Sequence, residues 1–134
     1  MTRKWIVILM ALLVSGFAMA GQYAPQPLTL DLVNRTAAGD LVTVRFSANE
    51  TEYIGCGIRA FDDGAGGATW FGFCQARNEK EEVGFCNTAN AELLSAIMAT
   101  ADFSYVTFSW NEAGECTRIG YSTQSFYIPK PLMP

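Results

Sequence analysis

The feature that most constrains this chain is a set of four cysteines that follows an apparent export signal. The cysteines are Cys56, Cys74, Cys86 and Cys116. They include no C-x-x-C pair, and the 17, 11 and 29 residues between them do not match a four-thiolate zinc site. In an oxidising compartment, an even number of cysteines indicates disulfides. The sequence therefore predicts two disulfides, no free thiol and no metal site.

Residues 1–20 have the pattern of a secretory signal peptide. Arg3 and Lys4 precede an uncharged apolar run, Trp5–Phe17, and the A-M-A sequence that ends at Ala20 supplies a small-x-small cleavage site. A transmembrane anchor is the alternative, but the run is short for one and no stop-transfer charges follow it. We expect cleavage after Ala20 and a periplasmic or secreted mature protein that is not attached to a membrane.

The rest of the chain alternates apolar and polar residues over short segments, with one helical segment among them. The alternation predicts six or seven strands, near 28–33, 42–47, 53–60, 69–77, 83–86, 103–110 and 116–125. Asn90 is a good N-cap and Glu92 lies in the first turn, which predicts a helix over 91–101. Its apolar face comprises Leu93, Leu94, Ile97 and Met98.

These elements predict the α+β class, with a mainly antiparallel sheet and the helix packed across one of its faces. A β-sandwich in which the helix is a connection is the alternative. The absence of repeats and interior linkers predicts one domain over 28–128. A polar, proline-bearing segment at 21–27 is expected to be a mobile lead, and residues 129–134 form a tail.

Two hairpins place three of the cysteines on adjacent strands. The charged turn 78–82 is centred midway between Cys74 and Cys86. A glycine-rich loop near residue 65 is centred midway between Cys56 and Cys74. Cys56 and Cys86 would then lie two strands, about 9.5 Å, apart, which is too far for a disulfide. Two pairings remain: Cys74–Cys86 with Cys56–Cys116, and Cys56–Cys74 with Cys86–Cys116. The charged turn fixes its register more firmly than the glycine loop does, which favours the first pairing.

Residue types that common catalytic mechanisms need are missing. The chain has no histidine, the commonest general base, and it has no G-x-S-x-G motif. With every thiol oxidised, no nucleophilic thiolate remains. The carboxylates fall in turns, at helix ends or on the polar face of the first strand, so none is singled out. We therefore expect no enzymatic activity and no cofactor, and keep a small carboxylate-dependent hydrolase as an alternative.

The mature chain is acidic, and its charges gather in two turns. Cleavage after Ala20 leaves seven basic against thirteen acidic residues, a net charge of −6, so nucleic acid is not an expected partner. Asp62 and Asp63 precede a glycine run without the spacing of a phosphate or EF-hand loop, which favours a solvated hairpin loop over a weak Ca²⁺ site. Acidic side chains also crowd the second turn, at Glu79, Glu81 and Glu82. This turn is either solvated and protective of strand edges or attractive to a basic partner.

Aromatic residues supply the remaining functional signal. With one helix to cover a sheet, some aromatic side chains should reach the surface, where binding proteins use them. The candidates are Trp70, Trp110, Tyr121 and Tyr127. The leading hypothesis is a binding protein that recognises another protein, of the inhibitor or immunity type. The alternative is a glycan-binding module that uses exposed aromatic residues.

Overall fold

The computed structural model describes residues 21–129. The predicted signal peptide at 1–20 and the tail from residue 130 lie outside this range. Within 21–129, no helix is long and apolar enough to cross a membrane.

Seven strands and two helices follow one another along the described chain. They are β1 (Thr29–Asp31), β2 (Thr36–Asp40), α1 (Leu41–Arg45), β3 (Tyr53–Asp62), β4 (Ala68–Arg77), β5 (Val83–Thr88), α2 (Ala91–Met98), β6 (Ser104–Trp110) and β7 (Cys116–Thr123). A single 3-10 turn, Ser125–Tyr127, follows β7. The α+β prediction is confirmed, but the antiparallel strands form two sheets rather than one. The four-stranded sheet has the order β1-β2-β6-β7 and the three-stranded sheet the order β3-β4-β5.

The strand predicted near 42–47 is wrong, because that segment forms helix α1. Asp40 accounts for the difference: its carboxylate Oδ1 accepts a hydrogen bond of 2.7 Å from the Thr43 amide and so caps the helix. A strand ends at this residue instead of beginning after it, since residues 36–40 form β2. Alternation of apolar residues alone does not distinguish a strand from a single turn of helix.

Helix α2 confirms the predicted helix, although it ends earlier. The Asn90 side chain accepts hydrogen bonds from the amides of Glu92 and Leu93, as expected of an N-cap. On its apolar face, Ile97 packs so closely on β4 that a Cβ at Gly72 would lie 2.5 Å from its Cδ1. Met98, which was expected on the packed face, is exposed.

The strand registers derived for the cysteines are confirmed, whereas the favoured disulfide pairing is wrong. Cys74 lies opposite Cys56 on one side and opposite Cys86 on the other. The disulfides are Cys56–Cys74 and Cys86–Cys116, with Cα–Cα distances of 4.0 and 5.0 Å. Cys116 comes within reach of Cys86 because the turn before it packs along β5, where Asn87 bridges Glu115. The first disulfide therefore lies within the three-stranded sheet, and the second joins the two sheets.

The core lies between the two sheets and beneath the helices. Phe108 and Val106 of β6 and Ala76 of β4 are buried in it, and Ile97 covers it from α2. From the four-stranded sheet, Trp110 reaches across to β5, where a Cβ at Gly84 would lie 2.7 Å from the indole ring. Each sheet therefore has an inner face that packs in the core and an outer face that does not.

The segment 21–27, predicted as a mobile lead, is tied to the fold at three points. Its Ala24 amide donates to the Phe126 carbonyl oxygen. The Gln26 amide donates to the Asp40 carboxylate at 2.6 Å, and the Gln26 carbonyl oxygen accepts from the Asp40 amide at 2.8 Å. These bonds satisfy the buried Asp40 side chain and hold the lead beside β2.

Candidate functional site

The outer face of the three-stranded sheet is the surface that most resembles a binding site. Along β4, the residues Gly72, Cys74 and Ala76 are buried, so the residues between them point outward. Pairing extends this face across the sheet, because Arg59 of β3 lies opposite Phe71 and Phe85 of β5 lies opposite Gln75. Directly opposite residues in antiparallel strands share a face.

Four phenylalanine rings cross this outer face and form what we call the aromatic ladder: Phe61, Phe71, Phe73 and Phe85. Successive ring centroids lie 5.8, 6.3 and 6.5 Å apart, within the range of favourable aromatic pairs. The rings at the two ends of the row are the more accessible, since Phe61 is 56 % and Phe85 47 % exposed. The ladder spans all three strands and remains in contact with solvent.

Small residues on β3 keep this face flat. A Cβ at Gly57 would lie 2.8 Å from the Phe73 ring, so the ring occupies the space of a side chain. A Cβ at Gly55 would meet nothing within 4 Å. The guanidinium of Arg59 lies 4.9 Å from the centroid of the same Phe73 ring, a cation–π arrangement that holds the ring in place.

The far end of the β3–β4 hairpin is exposed on both faces. Phe61 lies on the outer side, in parallel stacking with Phe71. Trp70 lies opposite Ala60 on the other side and is 48 % exposed. The hairpin therefore presents apolar rings in two directions beyond the part of the sheet that the core supports.

The four aromatic residues singled out from the sequence have different environments. Trp70 is exposed, as described, and Tyr121 is half-buried on β7. Trp110 packs between the sheets, 5.6 Å from the Phe108 ring centroid. Tyr127 is 7 % exposed, and its ring stacks on Tyr105 at 5.8 Å. Trp110 and Tyr127 therefore contribute to packing rather than to a binding surface.

The charged turn 78–82 is exposed and largely satisfied by its own residues. The Asn78 side-chain oxygen accepts from the amides of Lys80 and Glu82, which fixes the turn. Glu81 pairs with Arg77 at 2.8 Å, and the Glu82 carboxylate accepts from the Asn78 side-chain amide. Glu79 has neither kind of contact among the described residues. Of the three acidic residues considered as an alternative patch for a basic partner, this leaves one without an ion pair or hydrogen bond among the described residues.

The Asp62–Asp63 loop also satisfies its own carboxylates. The Asp62 side chain accepts from the Gly64 amide. Hydrogen bonds from the amides of Ala65 and Gly67 to Asp63 lower the pKa of that carboxyl below its usual value. A general acid for glycoside hydrolysis needs the opposite, a raised pKa. The loop has the character of a solvated turn.

Three buried cysteine sulfurs lie close together beneath the ladder. The Sγ atoms of Cys74, Cys86 and Cys116 lie within 4.8 Å of one another. All three belong to the two disulfides, and the described residues include no free cysteine. Oxidised sulfurs are not thiolates, which are the form that binds metals and attacks substrates. The cluster therefore stabilises the junction of the two sheets.

Sequence reasoning missed the aromatic ladder, although its components were visible. The registers from the cysteine spacing already placed Phe71 opposite Arg59 and therefore on the face away from Cys74. Extending those registers to Phe61 and Phe85 would have aligned the rings. What the sequence does not contain is the position of the helix, which covers the inner face and leaves the outer one open.

A scan against models of known protein families, a search of curated proteins and a search of solved structures each found no match to this chain. The role of the surface must therefore be inferred from its own geometry and chemistry.

Proposed function

We propose that this chain is an exported binding protein without catalytic activity, and that it recognises another protein through the aromatic ladder. The observation that carries the proposal is the row of four phenylalanine rings on the outer face of the three-stranded sheet. Soluble proteins seldom expose contiguous apolar surface unless it binds something. An inhibitor or immunity-type factor would use such a rigid face.

The chemistry of the ladder favours a protein over a glycan. Phenylalanine has no polar atom, and aromatic side chains are enriched at the centres of protein interfaces, where charge is depleted. Glycans need hydrogen-bonding groups beside the ring, which tyrosine and tryptophan supply more readily. The one observation in favour of glycan binding is Trp70, exposed on the opposite side of the hairpin.

Export is part of the same proposal. The signal-like segment 1–20 supports it, and two disulfides fit an oxidising compartment. Mass spectrometry of the exported protein should find Gly21 as the first residue. Retention of the apolar segment Trp5–Phe17 would contradict the proposed processing.

Capture experiments with the tagged mature protein test recognition. We expect the native protein, but not the Phe61→Ser/Phe71→Ser variant, to retain a partner from envelope and culture fractions, identified by mass spectrometry. Glycan binding would instead survive this variant, ignore salt and be lost in Trp70→Ala. Capture that is the same for both proteins would contradict recognition through the ladder.

The charge of the partner can be tested with the same material. If the partner is basic, its on-rate should fall steeply as salt rises, while the off-rate changes little. Replacing Glu79, Glu81 and Glu82 together by Gln should reduce the on-rate at low salt without lowering stability. A salt-independent on-rate would remove the charged turn 78–82 from the recognition surface.

A further inference from the structure

Strand β3 is a long edge strand of the three-stranded sheet. It has ten residues, and within 21–129 it pairs with β4 alone. The opposite edge, β5, is covered where the Asn87 amide donates to the Gly114 carbonyl oxygen at 3.0 Å. Proline and lysine, which natural proteins place on exposed edges to prevent pairing, do not occur in β3.

The backbone of this edge presents free hydrogen-bonding groups. Cys56 and Cys74 face each other with Cα atoms 4.0 Å apart, the short spacing of a non-hydrogen-bonded pair. Every second residue of β3 therefore has backbone N–H and C=O groups that point away from β4. These residues are Ile54, Cys56, Ile58 and Ala60. Among the described residues, their one partner is the Arg59 guanidinium, which donates to the Ile58 carbonyl oxygen at 3.1 Å.

Two grooves follow the same edge. The larger, of about 450 Å³, is lined by three consecutive residues, Cys56, Gly57 and Ile58. Consecutive strand residues point to opposite faces, so a groove that touches all three runs along the edge. The other residues that line it are apolar except for two, and they are Leu41, Ile97, Met98, Thr100, Ala101 and Asp102. A second groove, of about 290 Å³, continues from Leu41 past Tyr53 and Ile54.

Charge indicates which occupant fits. Asp102 is exposed and is the one charged residue that lines the larger groove, while Arg45 and Glu52 oppose each other in sign at the smaller groove. A basic side chain beside Asp102 is therefore favoured, in keeping with the acidity of the whole chain. Antiparallel pairing of β3 with a second copy about Gly57 would place Glu52 opposite Asp62, and this like-charge contact disfavours that register.

We propose that the β3 edge binds an extended, basic segment of the partner protein by adding it to the three-stranded sheet. Backbone hydrogen bonds supply the affinity, alternate apolar side chains enter the grooves, and a basic side chain lies beside Asp102. This inference rests on the proposed function and deepens it, since the added strand would lie beside the flat part of β3 and extend the face that carries the aromatic ladder.

A synthetic peptide tests the edge directly. The probe is the acetylated and amidated heptapeptide Lys-Val-Thr-Val-Thr-Val-Lys, added at millimolar concentration to the disulfide-intact mature protein. We expect its addition to shift the backbone amide resonances of Ile54, Cys56 and Ile58. In a paired strand, the amides of alternate residues point to opposite sides, so only the odd-numbered or only the even-numbered residues of the peptide donate to β3. N-methylation of the residues that face β3 should weaken binding at least tenfold, and N-methylation of the other residues should leave binding nearly unchanged.

Variants of the protein complete the test. Ile58→Pro removes an N–H group that points away from β4, so it leaves the hydrogen bonds between β3 and β4 intact. We expect it to weaken binding of the peptide at least tenfold. Asp102→Asn should reduce the preference for the lysine peptide over its glutamate counterpart. The Phe61→Ser/Phe71→Ser variant should still bind the peptide, which separates the edge from the aromatic ladder.

Several outcomes would overturn edge binding. They are equal effects of the two N-methylated sets, no shift of the β3 amides at millimolar peptide, and a stable dimer in light scattering that excludes the peptide. If a captured partner binds Ile58→Pro as well as the native protein does, the edge proposal fails while recognition through the aromatic ladder stands.

Discussion

The outer faces of the two sheets differ in the side chains that they carry. On the four-stranded sheet, Thr36 lies opposite Ser109 and Ala38 opposite Thr107, and the aromatic residue that β6 places on the same face, Tyr105, is stacked against Tyr127. On the three-stranded sheet, phenylalanine rings occupy the equivalent position. Threonine and phenylalanine both suit a strand, since β-branched and aromatic residues are favoured there. Local structure therefore does not require the rings.

The difference bears on the proposed function. Threonine satisfies a strand without exposing apolar area, whereas an exposed ring makes association with other apolar surfaces favourable. The fold uses its inner faces for stability, with Phe108 fully buried there. The aromatic ladder contributes less to the core, and the proposed partner would cover it.

The largest expected difference in stability is between removal of a buried phenylalanine ring and removal of an exposed one. Phe108→Ala should lower the free energy of unfolding by about 3–5 kcal/mol, because it leaves a cavity in the core. Phe61→Ala, at a ring that is more than half exposed, should cost under about 1 kcal/mol. Urea unfolding of the two variants measures the contrast. Equal losses would show that the ladder is part of the core.

The two disulfides provide the next comparison. Chain entropy predicts that each stabilises by about 3–4 kcal/mol, with the larger value for the longer loop. The loop of Cys86–Cys116 spans 30 residues and that of Cys56–Cys74 spans 18. Double Ala variants should therefore lose more stability at the bridge that joins the sheets. A greater loss at Cys56–Cys74 would mean that the three-stranded sheet is the weaker unit.

The sequence predicts local features of this fold better than the contacts between its parts. Cysteine spacing and turn composition predicted which residues of β3, β4 and β5 face each other, because a hairpin register depends on a short segment. The pairing of Cys86 with Cys116 depends on how the two sheets meet, which no local pattern encodes. The same limit explains Tyr127, whose burial requires the neighbouring ring of Tyr105.

Two glycines on one strand allow a matched test of the flat surface. Gly57→Ala should push the Phe73 ring out of place and destabilise the fold by about 1–3 kcal/mol. Gly55→Ala, on the same strand and face, meets open space and should be neutral or stabilising by up to about 1 kcal/mol. Thermal unfolding compares them. If Gly55→Ala is the more destabilising, the assigned position of the Phe73 ring is wrong.

The smallest expected effect compares one turn from each sheet. In the turn after β1, hydrogen bonds from the Asn34 backbone and side-chain amides lower the pKa of Asp31. Asp63 has a lowered pKa in the loop after β3. A carboxyl whose pKa is lower in the folded state stabilises the fold above about pH 4, and this contribution is lost as pH falls through the folded value.

Substitution of each carboxyl tests this pH dependence. Between about pH 4 and 2, Asp31→Asn and Asp63→Asn should each lose stability less steeply than the native protein. Urea unfolding over this range measures the slopes. A variant with the native slope would show that its carboxyl has the same pKa in the folded and unfolded chains.

The affinity of the captured partner for variants of the two outer faces tests recognition most directly. Phe61→Ser/Phe71→Ser changes the aromatic ladder, and Thr36→Ala/Ser109→Ala makes as many changes on the four-stranded sheet. Calorimetric titration should give a dissociation constant at least tenfold weaker for the first variant, a loss of about 1.4 kcal/mol or more, and an unchanged constant for the second. Equal constants for the native protein and the ladder variant would contradict recognition through this face.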